Sequence, residues 1–246
     1  MPENSESNTV KLKLRVFPDA DSAAGQAASF IAMFTRHAVN QRGRVVLAVS
    51  GGVTPKPMFK YLAVSQDISW TGVQILQTDE RVAPAGDADR NLTLLQDSLL
   101  APERLPPQQL HAMPVEMQDL DAAARQYAGV LESLSGTPPV LDLAHLGLGA
   151  DGHTASLVPG DPVLQIMDRD VVLTNSYHGR RRMTLTYPVI NRARCILWLV
   201  TGAAKADILA RLCNGDTGIP AGRINRERAV VFADQAAAVF LTASAQ

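Results

Sequence analysis

An Asp and a His two positions apart, set among glycines in Gly147-Leu148-Gly149-Ala150-Asp151-Gly152-His153, are the residues of this chain best suited to chemistry. A carboxylate beside a group that titrates near neutrality is what proton transfer at pH 7 needs. The preceding run, Val140-Leu141-Asp142-Leu143-Ala144-His145-Leu146, reads as a buried strand. Open α/β sheets place ligands at the carboxyl ends of their strands, so a strand running into a Gly-rich loop is a natural setting for a site. The competing reading is a tight turn with a solvated Asp and an incidental His.

A second loop, Ser50-Gly51-Gly52-Val53-Thr54-Pro55, also lies between a strand and a helix. Its backbone N–H groups and the positive end of the helix make an anion site, and glycines let a ligand approach closely. The Gly-Lys-Ser/Thr ending of a P-loop is missing, which argues against nucleoside triphosphates. Ala48-Val49-Ser50-Gly51-Gly52 also approximates a nucleophile elbow with Ser50 as acyl nucleophile. The Ala at the first position and the lack of a His near the C-terminus weaken that reading. Asp79-Glu80-Arg81 can orient hydroxyls or bind phosphate; for Glu80 a surface salt bridge is the preferred reading. Of Arg180-Arg181-Arg182, at least one is expected to point into the pocket and the others to be solvated. Lys205 sits in the first turn of a helix after Thr201-Gly202, where the dipole disfavours a cation unless an anion is present.

The elements that must hold these groups alternate. Lys11 to Phe17 has period two and suits a half-buried, edge strand. A helix with Asp19 or Asp21 as its cap follows and ends at Gly43. Val45 to Val49 is a continuous apolar strand, suited to a sheet covered on both faces. Thr54 and Pro55 are read as the cap and first residue of the next helix. Strands are expected at Val73–Leu76, Leu110–Met113, Val171–Leu173, Met183–Thr186 and Cys195–Val200, those at 171–173 and 183–186 as antiparallel neighbours. Two late strands are expected at Ala229–Phe232 and Ala238–Leu241. Helices are expected at Leu92–Leu100, Leu120–Leu134 and Ala203–Leu212. The pattern predicts an α/β fold: a Rossmann-like, mainly parallel sheet with helices on both faces, plus some antiparallel strands. Residues 1–10 are read as a frayed start and 11–246 as one α/β domain.

The 246 residues are 46% hydrophobic and 19% charged, with a net charge of −1. That is a globular composition with no bulk charge to hold a nucleic acid. Two cysteines, Cys195 and Cys213, form neither a disulfide framework nor a metal-site spacing and read as structural thiols. The polar N-terminus does not look like a signal peptide, and no apolar run is long enough to span a bilayer. A cytoplasmic protein, monomeric or a small homo-oligomer, with no nucleic-acid or membrane partner, is expected.

Several motifs occur in order: SGGVTP at 50–55, TDERV at 78–82, DRN at 89–91, LGLGADGHTASLVPG at 146–160, RMTLTYPVIN at 182–191 and TGAAK at 201–205. The set resembles the 6-phosphogluconolactonases, within the glucosamine-6-phosphate deaminase/isomerase-like superfamily, from about Phe17 to Phe240. The resemblance implies a Rossmann-like fold and hydrolysis of 6-phospho-D-glucono-1,5-lactone to 6-phosphogluconate in the oxidative pentose phosphate pathway, with no metal or organic cofactor. Arg90 stands where Ser is common and is expected to alter the pocket rim; Val158 stands where Phe is common, with little consequence.

On that reading His153 is the general base that activates water, and Asp151 orients it. Loop N–H groups near Gly149 to Gly152 are expected to meet the oxyanion. The phosphate of the sugar lactone falls to Ser50, Gly51, Gly52, Thr54, Arg81 and Lys205, with Arg182 as a further candidate; Asp79 and Asn91 contact sugar hydroxyls. The alternatives are an amino-sugar deaminase/isomerase, a Ser50 esterase and a sugar-phosphate-sensing regulatory module. The deaminase branch typically carries a carboxylate soon after its Asp-Gly-His, and Thr154 to Gly160 has none.

Overall fold

The computed structural model describes residues 12–68, 70–100 and 105–242; the frayed start expected over 1–10 lies outside them. β1 (Lys13–Phe17) leads into α1 (Ala20–Arg42). Asp19 caps α1 by accepting from the Ser22 N–H at 2.7 Å, and Gly43 ends it with φ 74°. β2 (Val45–Val49), α2 (Pro55–Val64), β3 (Val73–Gln77) and the short β4 (Asp79–Arg81) follow. α3 (Asn91–Leu95) continues through a π-helical turn to Leu100, ahead of β5 (Leu110–His111). Next come α4 (Leu120–Ser135), β6 (Leu143–Leu146), β7 (Val171–Leu173) and β8 (Arg182–Leu185). The chain closes with α5 (Tyr187–Arg192), β9 (Cys195–Val200), α6 (Ala206–Cys213), β10 (Ala229–Asp234) and α7 (Val239–Thr242).

Seven strands form one sheet in the order β1-β10-β9-β6-β2-β3-β5, every pair parallel. The expected edge position of β1 holds. Successive residues of β2 serve opposite faces, as the period of two requires. Val45, Leu47 and Val49 pack with Ile31 of α1 and with Met58, Phe59 and Leu62 of α2. Val46 and Ala48 pack on the other side with Tyr127 and Leu131 of α4 and Ile208 and Leu209 of α6. Both faces are covered, so a strand with no polar position is stable here.

A second sheet, β4-β8-β7, is antiparallel, and β7 and β8 are the expected neighbours. It is joined to the large sheet at Thr78, whose N–H bonds the Val49 carbonyl and whose carbonyl accepts from Leu185 N. This pairing sets Asp79 opposite Thr184 and Arg81 opposite Arg182.

Two expectations fail. Thr54 does not cap α2: its backbone is already helical, φ −57° and ψ −47°, so its hydroxyl makes no cap bond. Residues 238–241 are not a strand. β10 is already flanked by β1 and β9, and Asp234 turns the chain by accepting from the Ala237 N–H at 2.8 Å. The apolar quartet therefore passes into α7, a case where a short apolar run fits strand and helix equally.

His145 lies inside β6, buried, with neither ring nitrogen hydrogen-bonded and Phe59 edge-on at 6.0 Å. Burial pushes its pKa down from 6.5 to about 4. The folded state thus favours the neutral ring, and the unfolded chain binds the proton more readily. Its contribution is complete above pH 6.5 and is lost as pH falls toward 4, amounting to roughly 3 kcal/mol. The urea midpoint is expected to fall across that window, and His145→Leu to remove that part of the fall. An equal pH dependence in the variant would contradict this.

Candidate active site

The carboxyl ends of β2, β3, β6 and β9 open onto one cavity of about 200 Å³. That is below the roughly 300–1,000 Å³ of sites for drug-sized molecules and suits a small polar metabolite. Ser50, Gly51, Gly52, Thr54, Asp79, Arg81, Asn91, Gly149, His153, Arg182 and Lys205 all line it. Residues from four separate strand ends and from the second sheet are therefore neighbours in space.

His153 Nδ1 stands 2.6 Å from Asp151 Oδ1. A carboxylate only accepts, so Nδ1 carries the hydrogen and the neutral ring keeps its lone pair on Nε2. Nε2 has no hydrogen-bond partner among the described residues. Asp151 also accepts from the His153 N–H at 3.2 Å and from the Tyr177 hydroxyl at 2.9 Å. Burial alone pushes its pKa up, but His153 and these hydrogen bonds outweigh it and hold the carboxyl below its usual range.

The loop that carries the pair is tight. Gly149 N donates to the His153 carbonyl at 2.9 Å and Gly152 N to the Gly149 carbonyl at 3.0 Å. Those two N–H groups are spent within the loop, which leaves the oxyanion role expected of the loop to the N–H groups of Ala150 and Asp151, neither of which bonds a described residue. The need for glycine at 149 is steric: a Cβ there would lie 2.0 Å from His153 Nδ1. Gly152 has φ 85°, which L side chains rarely adopt.

Across the cavity, the N–H groups of Gly51 and Gly52 make no hydrogen bond to the described residues, and the N-terminus of α2 lies just beyond them. A Cβ on Gly51 would meet Asn91 Oδ1 at 2.1 Å. Ser50 Oγ is 2.7 Å from Thr78 Oγ1, and no histidine among the described residues bonds it. Ser50 therefore lacks the base an acyl nucleophile requires.

Arg81 and Arg182 are directly paired across β4 and β8, an arrangement in which like charges destabilise a sheet. The Nε of each is buried with no hydrogen-bond partner among the described residues. Arg81 also donates to the Asp89 carbonyl at 2.6 Å and to Asn91 Oδ1 at 2.8 Å. Burial pushes the Arg182 pKa down, with Asp79 opposing and Arg81 adding to the fall. Lys205 has no ion pair among the described residues; burial lowers its pKa and Asp151 opposes that. It occupies a turn held by Asp234, both oxygens of which accept from the Gly202 N–H at 3.0 Å. Three cationic side chains, Arg81, Arg182 and Lys205, line one cavity, which makes it a candidate anion site.

Of the three arginines, only Arg182 lines this cavity. Arg180 is paired with Asp87 at 2.9 Å and Asp89 at 3.5 Å, and Arg181 donates to the Thr174 carbonyl. Asp79 is buried and accepts from Ser156 Oγ at 2.7 Å and Asn91 Nδ2 at 3.3 Å. Glu80 corrects the surface reading. It is fully buried and caps α3, accepting from Asn91 N and Leu92 N, each at 2.8 Å. Arg90 is not at the cavity rim either: it is turned inward onto Glu80 and Glu116. Sequence reasoning passed over Tyr177 and Ser156. For Tyr177 the available signal was Gly179, a turn residue between two expected strands.

A family model described as glucosamine-6-phosphate isomerases/6-phosphogluconolactonase matches residues 18–232. A 6-phosphogluconolactonase of Nostoc sp. is 33% identical over 207 residues, which is 82% of this chain and 85% of the relative. That of Mycobacterium tuberculosis is 34% identical over 241 residues, covering 93% and 98%. The crystal structure of a 6-phosphogluconolactonase from Shewanella baltica superposes with a TM-score of 0.80 at 29% identity, covering 92% and 98%.

Proposed function

The chain belongs to the glucosamine-6-phosphate isomerase/6-phosphogluconolactonase family, and we propose that it hydrolyses 6-phospho-D-glucono-1,5-lactone to 6-phospho-D-gluconate with His153 as general base. It is a carboxylic ester hydrolase with one α/β domain, acting in the cytoplasm in the oxidative pentose phosphate pathway. The observation that carries this reading is the His153 ring, paired with Asp151, in the same cavity as Arg81, Arg182 and Lys205.

A δ-lactone is an activated ester, so attack by water needs modest help. His153 Nε2 takes a proton from the water as its oxygen attacks the lactone carbonyl. The ring oxygen then leaves, and the proton returned from Nε2 converts it to a hydroxyl. Asp151 keeps the tautomer and supports the charged ring, as a carboxylate does in other acid–base pairs. The phosphate dianion is met by the N–H groups of Gly51 and Gly52, by Arg81 and by Lys205, with Arg182 beside them. Ser50 and Thr54 border that anion, and Asp79 and Asn91 face the sugar hydroxyls.

The family covers two chemistries, so the choice between them rests on residues. The amino-sugar deaminases that the sequence also resembles typically carry a carboxylate soon after their Asp-Gly-His. The first acid after His153 is Asp161, which is buried and engaged with Val163 N and Asn175 N, each at 2.9 Å. It does not line the cavity. The deciding experiment pairs two assays: loss of the lactone, corrected for spontaneous hydrolysis, and ammonia release from glucosamine 6-phosphate. Lactone loss alone is the expected result; ammonia release without lactone loss would overturn the proposal.

The phosphate contact has its own test. Arg81→Ala is expected to raise KM for the phosphorylated lactone about tenfold or more, the scale of a lost charge-assisted bond. Turnover of the unphosphorylated lactone should change far less. Equal losses on both substrates would argue against a phosphate contact at Arg81.

A further inference from the structure

Tyr177 has no part in the reading above, yet it touches both halves of the site. It lies in the hairpin between β7 and β8, where an isolated bridge joins it to Arg180. His178 and Gly179, with φ 51° and φ 80°, turn the chain there. Its hydroxyl donates to Asp151 Oδ2 at 2.9 Å and lies 3.5 Å from His153 Nδ1. Its ring meets His153 edge-on at 5.6 Å. On the same ring the Arg182 guanidinium carbon sits 4.8 Å from the centroid, a cation–π distance. His178 packs against it at 4.1 Å.

We infer that Tyr177 is a positioning residue that ties the acid–base pair to the anion-binding arginine, its hydroxyl fixing Asp151 and its ring seating Arg182. This rests on the assignment of His153 as the base. With Oδ2 held by the tyrosine, Asp151 presents Oδ1 to His153 and cannot rotate away. A ring held by that bond also supplies a fixed face for a guanidinium whose one hydrogen bond among the described residues is a 3.4 Å contact with Ser156 Oγ. The other charged or titratable groups around the pair are His178 from the hairpin, Arg182 from β8, Lys205 from the turn before α6, and Asp79 and Arg81 from β4.

Tyr177→Phe removes the hydroxyl and keeps the ring. It is expected to lower kcat about tenfold, the scale of one hydrogen bond to a charged group, with KM little changed. Asp151, relieved of a donor, holds a proton on the pair more tightly, so the acid limb of the kcat/KM profile moves to higher pH. Tyr177→Ala also removes the ring beneath Arg182 and is expected to add a rise in KM. A second reading needs no substrate: the Asp151 carboxyl, followed by ¹³C NMR in the full chain, should titrate at higher pH in Tyr177→Phe than in the parent. A merely structural role would lower melting temperature and kcat together and move neither pH reading, and that result would overturn the inference. Wild-type kcat and an unmoved Asp151 titration in Tyr177→Phe would overturn it as well, with the lactonase reading left standing. If instead the parent protein fails to hydrolyse the lactone, that reading fails, and the carboxyl titration still decides whether Tyr177 holds Asp151.

Discussion

His153→Ala is expected to lower kcat for 6-phosphogluconolactone by about 10²–10⁴-fold, the usual worth of a positioned acid–base group. KM should stay within about threefold, because the proposed anion contacts lie elsewhere in the cavity. The loss should be chemical rather than structural. Asp151 is left without its imidazole, but its side chain is 36% exposed and Tyr177 still donates to it. No buried charge is stranded, so the melting temperature should move little. Steady-state kinetics with circular dichroism checks both halves. Near-normal turnover would remove His153 from the role of base, and a collapse of the fold would show that the ring is structural.

Gly149→Ala should approach the same loss without touching a chemical group. Its Cβ would lie 2.0 Å from His153 Nδ1 and 2.7 Å from Asp151 Oδ1, far inside contact distance. The loop cannot yield easily, because Gly149 is bonded through both N–H and carbonyl to residues 153 and 152. The ring and the carboxylate must therefore both shift away from their present positions. A displacement of that order can cost about 10²-fold in turnover. Because the two substitutions remove one unit, the double variant should be little worse than His153→Ala alone. Wild-type kcat in Gly149→Ala would mean that the close pair is not needed for turnover.

The large sheet was legible in the sequence because its signals are local. Val45 to Val49 is apolar throughout, Gly43 and Gly136 stop helices, and each of three strands runs into a Gly-bearing loop. What local pattern cannot encode is the second sheet. Asp79 pairs with Thr184 across more than a hundred residues, and only that pairing sets Arg81 beside Arg182. For the same reason Glu80 read as a surface charge and Arg90 as a residue of the pocket rim. Their partners, the Asn91 and Leu92 N–H groups and Glu116, become neighbours only once the chain turns back on itself. Tyr177 was passed over because a tyrosine near a turn is ordinary until the fold brings Asp151, 26 residues away in the chain, within hydrogen-bond reach of it. The motifs that were legible all sit at strand ends, where the loop and its functional group share one short segment.

The Asp151–His153 pair is packed against Gly149, and the Tyr177 hydroxyl donates to its carboxylate; in the proposed reaction the cations across the cavity retain the substrate. The most direct test of the account is the rate at which the purified full chain removes 6-phosphogluconolactone generated in place, with the spontaneous rate subtracted and His153→Ala run alongside. A clear acceleration by the parent chain that the variant abolishes is the predicted result. A parent chain no faster than spontaneous hydrolysis, or a variant as fast as the parent, would contradict it.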